Sequence, residues 1–305
     1  MTNGYFENKV AVITGGSRNI GRAVAAALVE RGCRVVIGDV LDTEGQKTIQ
    51  DLNSMTGKEN AVYLHTDVTK YADLIALFEL GQEQFGGVDF AFLNAGISVP
   101  NDIMLDDLDD EKDERLMKIN TMGIIKGSKV AVRYISKRGG GAIVNTASTL
   151  GLDCTNYSSI YNASKHAVVG WSKSYTQLPN AANIRMNALC PHGTNTELLW
   201  KDFNEYHQGF HKTSGLMVDI NTIVKAVLLL LEDEQYNGIA LKALPGDAIE
   251  VEESPKVFQK IILASQEVKP EEIASNMVAL EERAGSKFKK DLDESVQRYF
   301  QKSSI

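Results

Sequence analysis

Short runs of Val and Ile recur along the chain, and stretches with helical spacing of apolar residues lie between them. The runs lack strict polar alternation, which is typical of strands buried on both faces of a parallel sheet. Helices are predicted at Ile20–Arg31 and near residues 43–56, 70–85, 106–137, 158–178 and 219–233. Seven strands are predicted, at Val10–Thr14, Arg34–Asp39, Ala61–His65, Asp89–Leu93, Ala142–Ala147, Ile184–Leu189 and Ile239–Ala243. This order predicts a doubly wound α/β fold with a seven-stranded parallel sheet, whose ligands bind at the carboxyl ends of the strands.

Composition narrows the classes of protein that fit this fold. The 305 residues are 43% hydrophobic, which is enough for a large buried core. Three scattered cysteines (Cys33, Cys154, Cys190) without a CxxC pair predict a reducing, cytoplasmic location and argue against a zinc site. A net charge of −8 disfavours a nucleic-acid partner. No uncharged run approaches the roughly 20 residues of a membrane span, and MTNGYFENKV does not resemble a secretory signal, so no membrane partner is expected.

A glycine-rich turn follows the first predicted strand directly and leads into a helix. It reads Thr14-Gly15-Gly16-Ser17-Arg18-Asn19-Ile20-Gly21. Glycines at such a turn let the backbone approach a pyrophosphate, which then lies on the unpaired N–H groups at the start of the helix. The alternative is an ordinary strand-to-helix turn. Its position in the first βαβ unit favours nucleotide binding.

Asp39 ends the second predicted strand, 18 residues beyond Gly21. A carboxylate there can accept hydrogen bonds from both hydroxyls of an adenosine ribose and would repel a 2′-phosphate. Arg18 argues the other way, because a guanidinium can pair with a 2′-phosphate. The repulsion between a 2′-phosphate and this carboxylate is expected to exceed the attraction from one exposed Arg. NAD is therefore predicted over NADP.

A phenol and an ammonium, those of Tyr161 and Lys165, are four residues apart in a predicted helix. That spacing places them on one helical face, where a cation favours the phenolate and lowers the pKa of a Tyr from about 10. A Tyr tuned in this way can take a proton from an alcohol or return one to a carbonyl oxygen. Ser148 follows the fifth strand, so its hydroxyl is placed to hold the substrate oxygen.

These motifs together resemble the short-chain dehydrogenase/reductase family over about residues 9–243, roughly three quarters of the chain. The family's adenine-contacting position matches Asp67-Val68, and its NAG motif matches Asn94-Ala95-Gly96. Its catalytic Asn falls on Asn120, and Ser148 precedes Tyr161 by the family's usual 13 residues. YNASKHAVVGWSKS, with NALCP following, is similar to the hydroxyprostaglandin-dehydrogenase-like and fungal secondary-alcohol dehydrogenase branches, which use NAD.

The resemblance implies a Rossmann fold and an oxidoreductase in which Tyr161 is the general acid/base and Ser148 orients the substrate oxygen. Lys165 would lower the pKa of Tyr161 and bind the nicotinamide ribose, and Asn120 would hold a water that relays the proton. A homodimer or homotetramer through the helices carrying Asn120 and Tyr161 is also implied. The predicted NAD contacts are Gly15, Ser17, Arg18, Asn19, Ile20, Gly21, Asp39, Asp67, Val68, Asn94, Ala95, Gly96, Tyr161, Lys165, Pro191, Gly193, Thr194 and Thr196.

Two residues depart from the family's pattern at places that matter. Asn19 replaces the middle glycine of the turn, where Asn tolerates left-handed backbone better than other side chains. His192 replaces the glycine of the Pro-Gly pair after the sixth strand, beside the expected nicotinamide. Its ring either narrows or polarises the site, or it marks a local shift in which Gly193 supplies the flexibility.

Residues 197–217 (ELLWKDFNEYHQGFHKTSGLM) are predicted to form an apolar, aromatic lid over the substrate. The predicted substrate contacts are Ser148, Tyr161, His192 and Trp200. These residues favour a small-molecule substrate that is bulky and mostly apolar, a secondary alcohol or its ketone, although some of them must pack the lid onto the body. The spacing of His207 and His211 is compatible with a metal, but no HExxH-type acidic motif accompanies it, so no metal is predicted.

We expect two structural units, a dinucleotide-binding domain over residues 1–248 and a helical extension over residues 249–305. Ser254-Pro255 and Pro270-Glu271 resemble helix starts, and no strand is predicted in the extension. Its apolar stripes must be buried, so it is expected to pack beside the lid or on a neighbouring subunit. A cofactor-bound protein with a non-redox or binding role is the competing functional hypothesis.

Overall fold

The computed structural model describes residues 4–98, 109–155, 158–196, 217–252 and 270–302, with the side chains of the last segment described over 285–301. Its single sheet has the strand order β3-β2-β1-β4-β5-β6-β7-β8. The first seven strands are parallel, and β8 is antiparallel to β7. Their bounds are β1 Val10–Thr14, β2 Arg34–Asp39, β3 Ala61–His65, β4 Phe90–Leu93, β5 Gly141–Thr146, β6 Ile184–Pro191, β7 Ala240–Leu244 and β8 Ala248–Val251.

Helices cover both faces of the sheet. One core joins the helices Asn19–Val29 and Ile220–Glu232 to the sheet, and a second core on the other face joins the helices Tyr71–Phe85, Gly123–Arg138 and Ser159–Lys173. All residues of β1 and of β6 are buried, as expected for strands covered on both sides. The helices are α1 Asn19–Val29, α2 Asp42–Thr56, α3 Tyr71–Phe85, α4 Asp110–Met117, α5 Gly123–Arg138, α6 Ser159–Lys173, α7 Leu178–Ala182, α8 Ile220–Glu232 and α9 Pro270–Lys302. The predicted doubly wound fold is confirmed.

The structure adds one strand that the sequence analysis did not predict. A three-residue turn returns the chain along β7, with Gly246 and Asp247 both at positive φ (73° and 64°). Lys242 of β7 then pairs with Glu250 at 3.2 Å and with Glu252 at 3.0 Å. A Gly-Asp pair after a buried strand is a hairpin signal that could have revealed β8.

The predicted helix 158–178 is wrong at its end, because two helices occupy that region. α6 stops at Lys173, and α7 starts anew at Leu178 with Pro179 in its first turn. A proline is tolerated there because the first N–H groups of a helix have no partner within the helix.

Beyond β8, the described part of the C-terminal extension is one long helix, α9. Phe288, Leu292, Tyr299 and Phe300 pack against the core on the α3–α5–α6 face. The Phe300 ring contacts the Tyr134 ring edge-on, with 5.3 Å between the ring centroids. Lys137 Nζ lies 4.4 Å from the centroid of the Phe300 ring. Arg133 of α5 donates a hydrogen bond to Ser295 Oγ at 2.8 Å. Residues 285–301 thus pack on α5. Lid residues 197–216 lie outside the described residues, as do the side chains of 253–284, so the expected position beside the lid or on a neighbouring subunit stays a prediction.

Replacing Phe300 by alanine should lower the free energy of unfolding by about 1–3 kcal/mol, because a half-buried aromatic side chain is lost together with its contacts to Tyr134 and Lys137. Chemical denaturation measures the change, and Gln301→Ala, on an exposed neighbour, is the matched control. Equal stability of the two variants would show that α9 does not depend on this contact.

Candidate active site

The glycine turn after β1 is packed too closely to admit side chains at two of its glycines. Gly15 has a φ of +65°, and a β-carbon there would lie 2.8 Å from Ala95 Cα. A β-carbon at Gly21 would lie only 2.1 Å from Gly15 O. The backbone therefore closes on itself at the start of α1, leaving N–H groups at the helix terminus, where a phosphate binds well.

Asn19 and Ser17 are the two residues of this turn whose local structure bears on ligand binding. Asn19 has a φ of 49°, so it adopts the left-handed backbone that the sequence predicted Asn to tolerate. The Ser17 hydroxyl is buried and has no hydrogen-bond partner within the described residues. A buried polar atom without a partner is costly, and a pyrophosphate oxygen is an acceptor that would satisfy it. The residues present thus fit a dinucleotide.

The Asp39 carboxylate lies at the end of β2 and anchors the glycine turn. Its Oδ2 accepts a hydrogen bond from Ser17 N at 3.0 Å, and its Oδ1 accepts from Val40 N at 2.8 Å and Leu41 N at 3.2 Å. Oδ1 has both lone pairs engaged, and Oδ2 keeps one. One acceptor position therefore remains for a ribose hydroxyl, fewer than the two hydrogen bonds predicted.

The residues after β3 and β4 lie at the same edge of the sheet as the glycine turn. Asn94 Nδ2 donates to Gly15 O at 3.0 Å, and Thr146 Oγ1 donates to Asn94 Oδ1 at 3.3 Å. Burial acts to raise the pKa of Asp67, but hydrogen bonds from Thr69 and Lys70 hold it below the usual range. Val68 is buried against the start of α5, where a β-carbon at Gly123 would lie 2.8 Å from Val68 Cγ2.

Asn120 lies in a single π-helical turn, Lys118–Met122, between α4 and α5. Such turns occur frequently at functional sites. Its Nδ2 donates to Ile97 O at 2.9 Å and Ser164 Oγ at 3.3 Å, and its Oδ1 accepts from Ile97 N at 2.8 Å. The side chain therefore fixes the segment after β4 against α6, and its Oδ1 retains one lone pair.

Ser148 and Tyr161 meet at the carboxyl edge of β5. Burial raises the pKa of Tyr161 to about 12, although the neighbouring Ser148 hydroxyl acts to lower it. Lys165 Nζ donates to Thr146 O at 2.9 Å and lies 5.5 Å from the Tyr161 ring centroid. Burial lowers the pKa of Lys165 to about 8. Burial thus sets the direction of the Tyr161 shift, and the predicted lowering of its pKa by Lys165 stays a prediction.

The end of β6 faces Ser148. Pro191 O accepts a hydrogen bond from Ser148 Oγ at 3.4 Å, and His192 Nδ1 lies 3.1 Å from Thr149 Oγ1. Thr194 Oγ1 donates to His192 O at 2.9 Å. Gly193 follows His192. A β-carbon at Gly193 would lie 3.8 Å from Met217 Sδ, an ordinary van der Waals distance, so the space beside this residue is open.

Comparison with known proteins decides the family. The family model described as short chain dehydrogenase matches residues 9–207 of this chain. The chain belongs to the short-chain dehydrogenase family. Its members are oxidoreductases that bind a nicotinamide cofactor.

Two named relatives and one solved structure are similar to this short-chain dehydrogenase. Momilactone A synthase of Oryza sativa subsp. japonica is 35% identical over 190 residues, 62% of this chain and 68% of that one. Human 15-hydroxyprostaglandin dehydrogenase [NAD(+)] is 28% identical over 255 residues, 78% and 91% of the two chains. The 3-ketoacyl-(acyl-carrier-protein) reductase from Brucella melitensis, solved with NADH, superposes with a TM-score of 0.71 at 25% identity, covering 79% of this chain and 99% of that one.

The predicted site residues of this short-chain dehydrogenase cluster at one sheet edge wherever they are described. The glycine turn follows β1, and Asn94-Ala95-Gly96 follows β4. A β-carbon at Gly96 would lie 3.2 Å from Asn120 Oδ1 and 3.6 Å from Lys165 Nζ. Trp200 and most of the predicted lid lie outside the described residues, as do His207 and His211.

Sequence reasoning missed Thr149 in this short-chain dehydrogenase. Its position directly after Ser148 was a signal, but only the fold shows that His192 reaches it. Among residues 4–98, 109–155, 158–196, 217–252 and 270–302, no group of His, Cys, Asp or Glu side chains is placed to hold a metal ion. None of the helices described over the same part of the chain is long and apolar enough to cross a membrane.

Proposed function

We propose that this short-chain dehydrogenase interconverts a bulky, mostly apolar secondary alcohol and its ketone with NAD(H) as cofactor. The observation that supports this most directly is the meeting of Ser148 and Tyr161 at the strand edge, with Lys165 Nζ 5.5 Å from the centroid of the Tyr161 ring. A bound nicotinamide dinucleotide would accept or supply the hydride. The chain's own groups would hold the oxygen of the substrate and move its proton.

Tyr161 is the proposed general acid/base and Ser148 the group that orients the substrate oxygen. A phenol with a pKa of about 12 keeps its proton near neutral pH and can donate it to a developing alkoxide. Cys190 lies close by, but burial raises the pKa of its thiol to about 12, so it carries no charge near neutral pH. The remaining lone pair of Asn120 Oδ1 can hold the relay water.

The proposed substrate class comes from the lid composition and agrees with the named relatives. A prostaglandin dehydrogenase and a momilactone synthase are among the similar proteins. The apolar residues of 197–216 lie outside the described residues, so their contacts stay a prediction. Met217, next to Gly193, is the described residue of this lid.

We also propose a cytoplasmic protein that forms a homodimer or homotetramer. An apolar groove between α4 and α6 is lined by Met117, Met122, Ile160 and Ala163, and Met122 is 41% exposed. A second copy packing there would join the helices beside Asn120 and Tyr161. α9 covers the distal half of α5, so contacts between copies would be concentrated near the groove.

Mixing the protein with NAD and a panel of hydrophobic secondary alcohols should produce NADH fluorescence, and the Tyr161→Phe variant should produce almost none. Linear, terpenoid and steroid alcohols of similar hydrophobicity would sample the substrate class. A protein that binds NADH but turns over no alcohol or ketone would instead support a binding or non-redox role.

Replacing Asp39 by serine should lower the preference for NAD over NADP by at least about tenfold, because the charge that repels a 2′-phosphate is removed. Dissociation constants of NADH and NADPH, measured by fluorescence, give the ratio. Asp42→Asn removes a neighbouring carboxylate that hydrogen-bonds Tyr63 and His65 instead of the glycine turn, and should leave the ratio unchanged. Tighter binding of NADPH than NADH by the unaltered protein would contradict the assignment.

Alcohol oxidation should speed up with rising pH, whereas ketone reduction should stay nearly level. Because the pKa of Tyr161 is about 12, the phenolate fraction grows about tenfold per pH unit through the neutral range. The rise in kcat/KM should bend near pH 8, where Lys165 loses its proton. Steady-state kinetics between pH 6 and 10 in both directions check this, and an oxidation optimum below pH 7 would contradict it.

A further inference from the structure

The turn that carries Ser148 leaves the sheet just where the main-chain ladder ends. Within the described structure, the last main-chain hydrogen bond between this segment and β6 runs from Ala147 N to Leu189 O at 2.7 Å. Beyond it, Ser148 opens a short 3₁₀ turn, Thr149–Gly151. Two side-chain contacts then tie the turn to the end of β6, Ser148 Oγ to Pro191 O and Thr149 Oγ1 to His192 Nδ1.

The hydrogen bond from Ser148 to Pro191 O competes with the proposed hydrogen bond from Ser148 to the substrate oxygen. A serine hydroxyl has one hydrogen. When Ser148 donates that hydrogen to a substrate oxygen, it no longer donates to Pro191 O. The hydrogen bond between Thr149 and His192 is independent of that choice, so it persists while Ser148 is engaged.

The main chain of His192 is held firmly enough to act as an anchor. Its N–H donates to Ala243 O of β7 at 3.0 Å, and its carbonyl accepts from Thr194 Oγ1 at 2.9 Å. The imidazole therefore projects from a fixed backbone onto the residue next to Ser148. A glycine at this position would supply no such contact.

We propose that His192 is a positioning residue, which holds Thr149 through its imidazole and thereby keeps the Ser148 hydroxyl aligned during turnover. The proposal rests on the proposed dehydrogenase function. It also gives a reason for His192 in place of the glycine of the Pro-Gly pattern: the imidazole adds a contact to Thr149, beyond any local shift of the backbone.

The test compares variants that separate the hydrogen bond from the shape of each side chain. His192→Phe and Thr149→Val keep size and lose the bond, and each should lower kcat about tenfold while NADH affinity and Tm stay unchanged. The double variant should lose no more than either single one, since both remove the same contact. His192→Asn and Thr149→Ser retain a hydrogen-bonding group and should recover most of the turnover. His166→Phe, on an exposed ring that contacts Asn162 O, is the control.

The pH profile supplies a readout that a purely structural role would not move. Tyr161 is faced by Ser148, Lys165 and Cys190; burial raises the pKa of the phenol, and the neighbouring Ser148 hydroxyl acts to lower it. A misaligned Ser148 should therefore shift the rising limb of alcohol oxidation to higher pH in His192→Phe. Wild-type kcat in that variant, losses that multiply in the double variant, or no recovery with asparagine would each overturn the proposal.

Nitrogen-15 NMR of the His192 ring separates this proposal from the proposed function. Thr149→Val should change the Nδ1 shift whether or not the protein turns over an alcohol. An unchanged Nδ1 shift overturns the proposed contact between His192 and Thr149, whereas an inactive wild-type protein overturns the dehydrogenase assignment.

Discussion

Tyr161→Phe should lower kcat by about 10²–10⁴-fold, because it removes the transferable proton and keeps the ring. The ring would still lie above Lys165 Nζ, so NADH affinity and folding should change little. Stopped-flow measurement of hydride transfer, with fluorescence titration of NADH, distinguishes the two effects.

Tyr175→Phe is the matched control for that variant. Tyr175 contacts Trp171 and Phe288 away from the strand edge, and burial raises the pKa of its phenol as well. Turnover close to wild type is expected for this control. If Tyr161→Phe also kept most of its turnover, another group would have to supply the proton.

Gly21→Ala should weaken NADH binding by at least about 100-fold, because the new methyl group would meet Gly15 O at 2.1 Å and force the turn apart. Gly170→Ala, on an exposed part of α6 with nothing within 4 Å, should bind NADH normally. Isothermal titration measures affinity, and thermal melting shows whether each variant folds.

Ser17→Ala tests the same turn if Gly21→Ala does not fold. It removes a buried hydroxyl that has no partner among the described residues, so the protein without cofactor should lose no stability. NADH affinity should nevertheless fall, since the hydroxyl would no longer reach the pyrophosphate. Unchanged affinity would contradict the role given to Ser17.

The sequence was sufficient to predict the seven parallel strands, because residues buried on both faces leave a continuous apolar pattern. It did not predict β8, whose short, half-exposed pattern is defined mainly by its turn and by Lys242. The packing of α9 on α5 was also missed. Phe300 and Tyr134 are 166 positions apart, and no local pattern reports such a contact.

The identity of the site residues could be predicted more fully than their contacts. Motif order located Ser148, Tyr161 and Lys165, but the Tyr161 pKa depends on how deeply the folded chain buries the phenol. Asp39 is similar: its sequence position indicated a ribose contact, whereas the fold shows three main-chain N–H groups already bonded to it. Such competition for lone pairs is visible only in three dimensions.

The docking of α9 has a practical consequence for handling this molecule. Phe300 is held beside Lys137 and Tyr134, whereas Asn120 lies before the other end of α5. At a rise of 1.5 Å per residue, about 25 Å of helix separates Lys137 from Asn120. A tether attached beyond residue 302 would hold the molecule on a sensor chip or resin with its strand edge directed away from the support. Immobilisation from that side should leave cofactor and alcohol free to enter from solution.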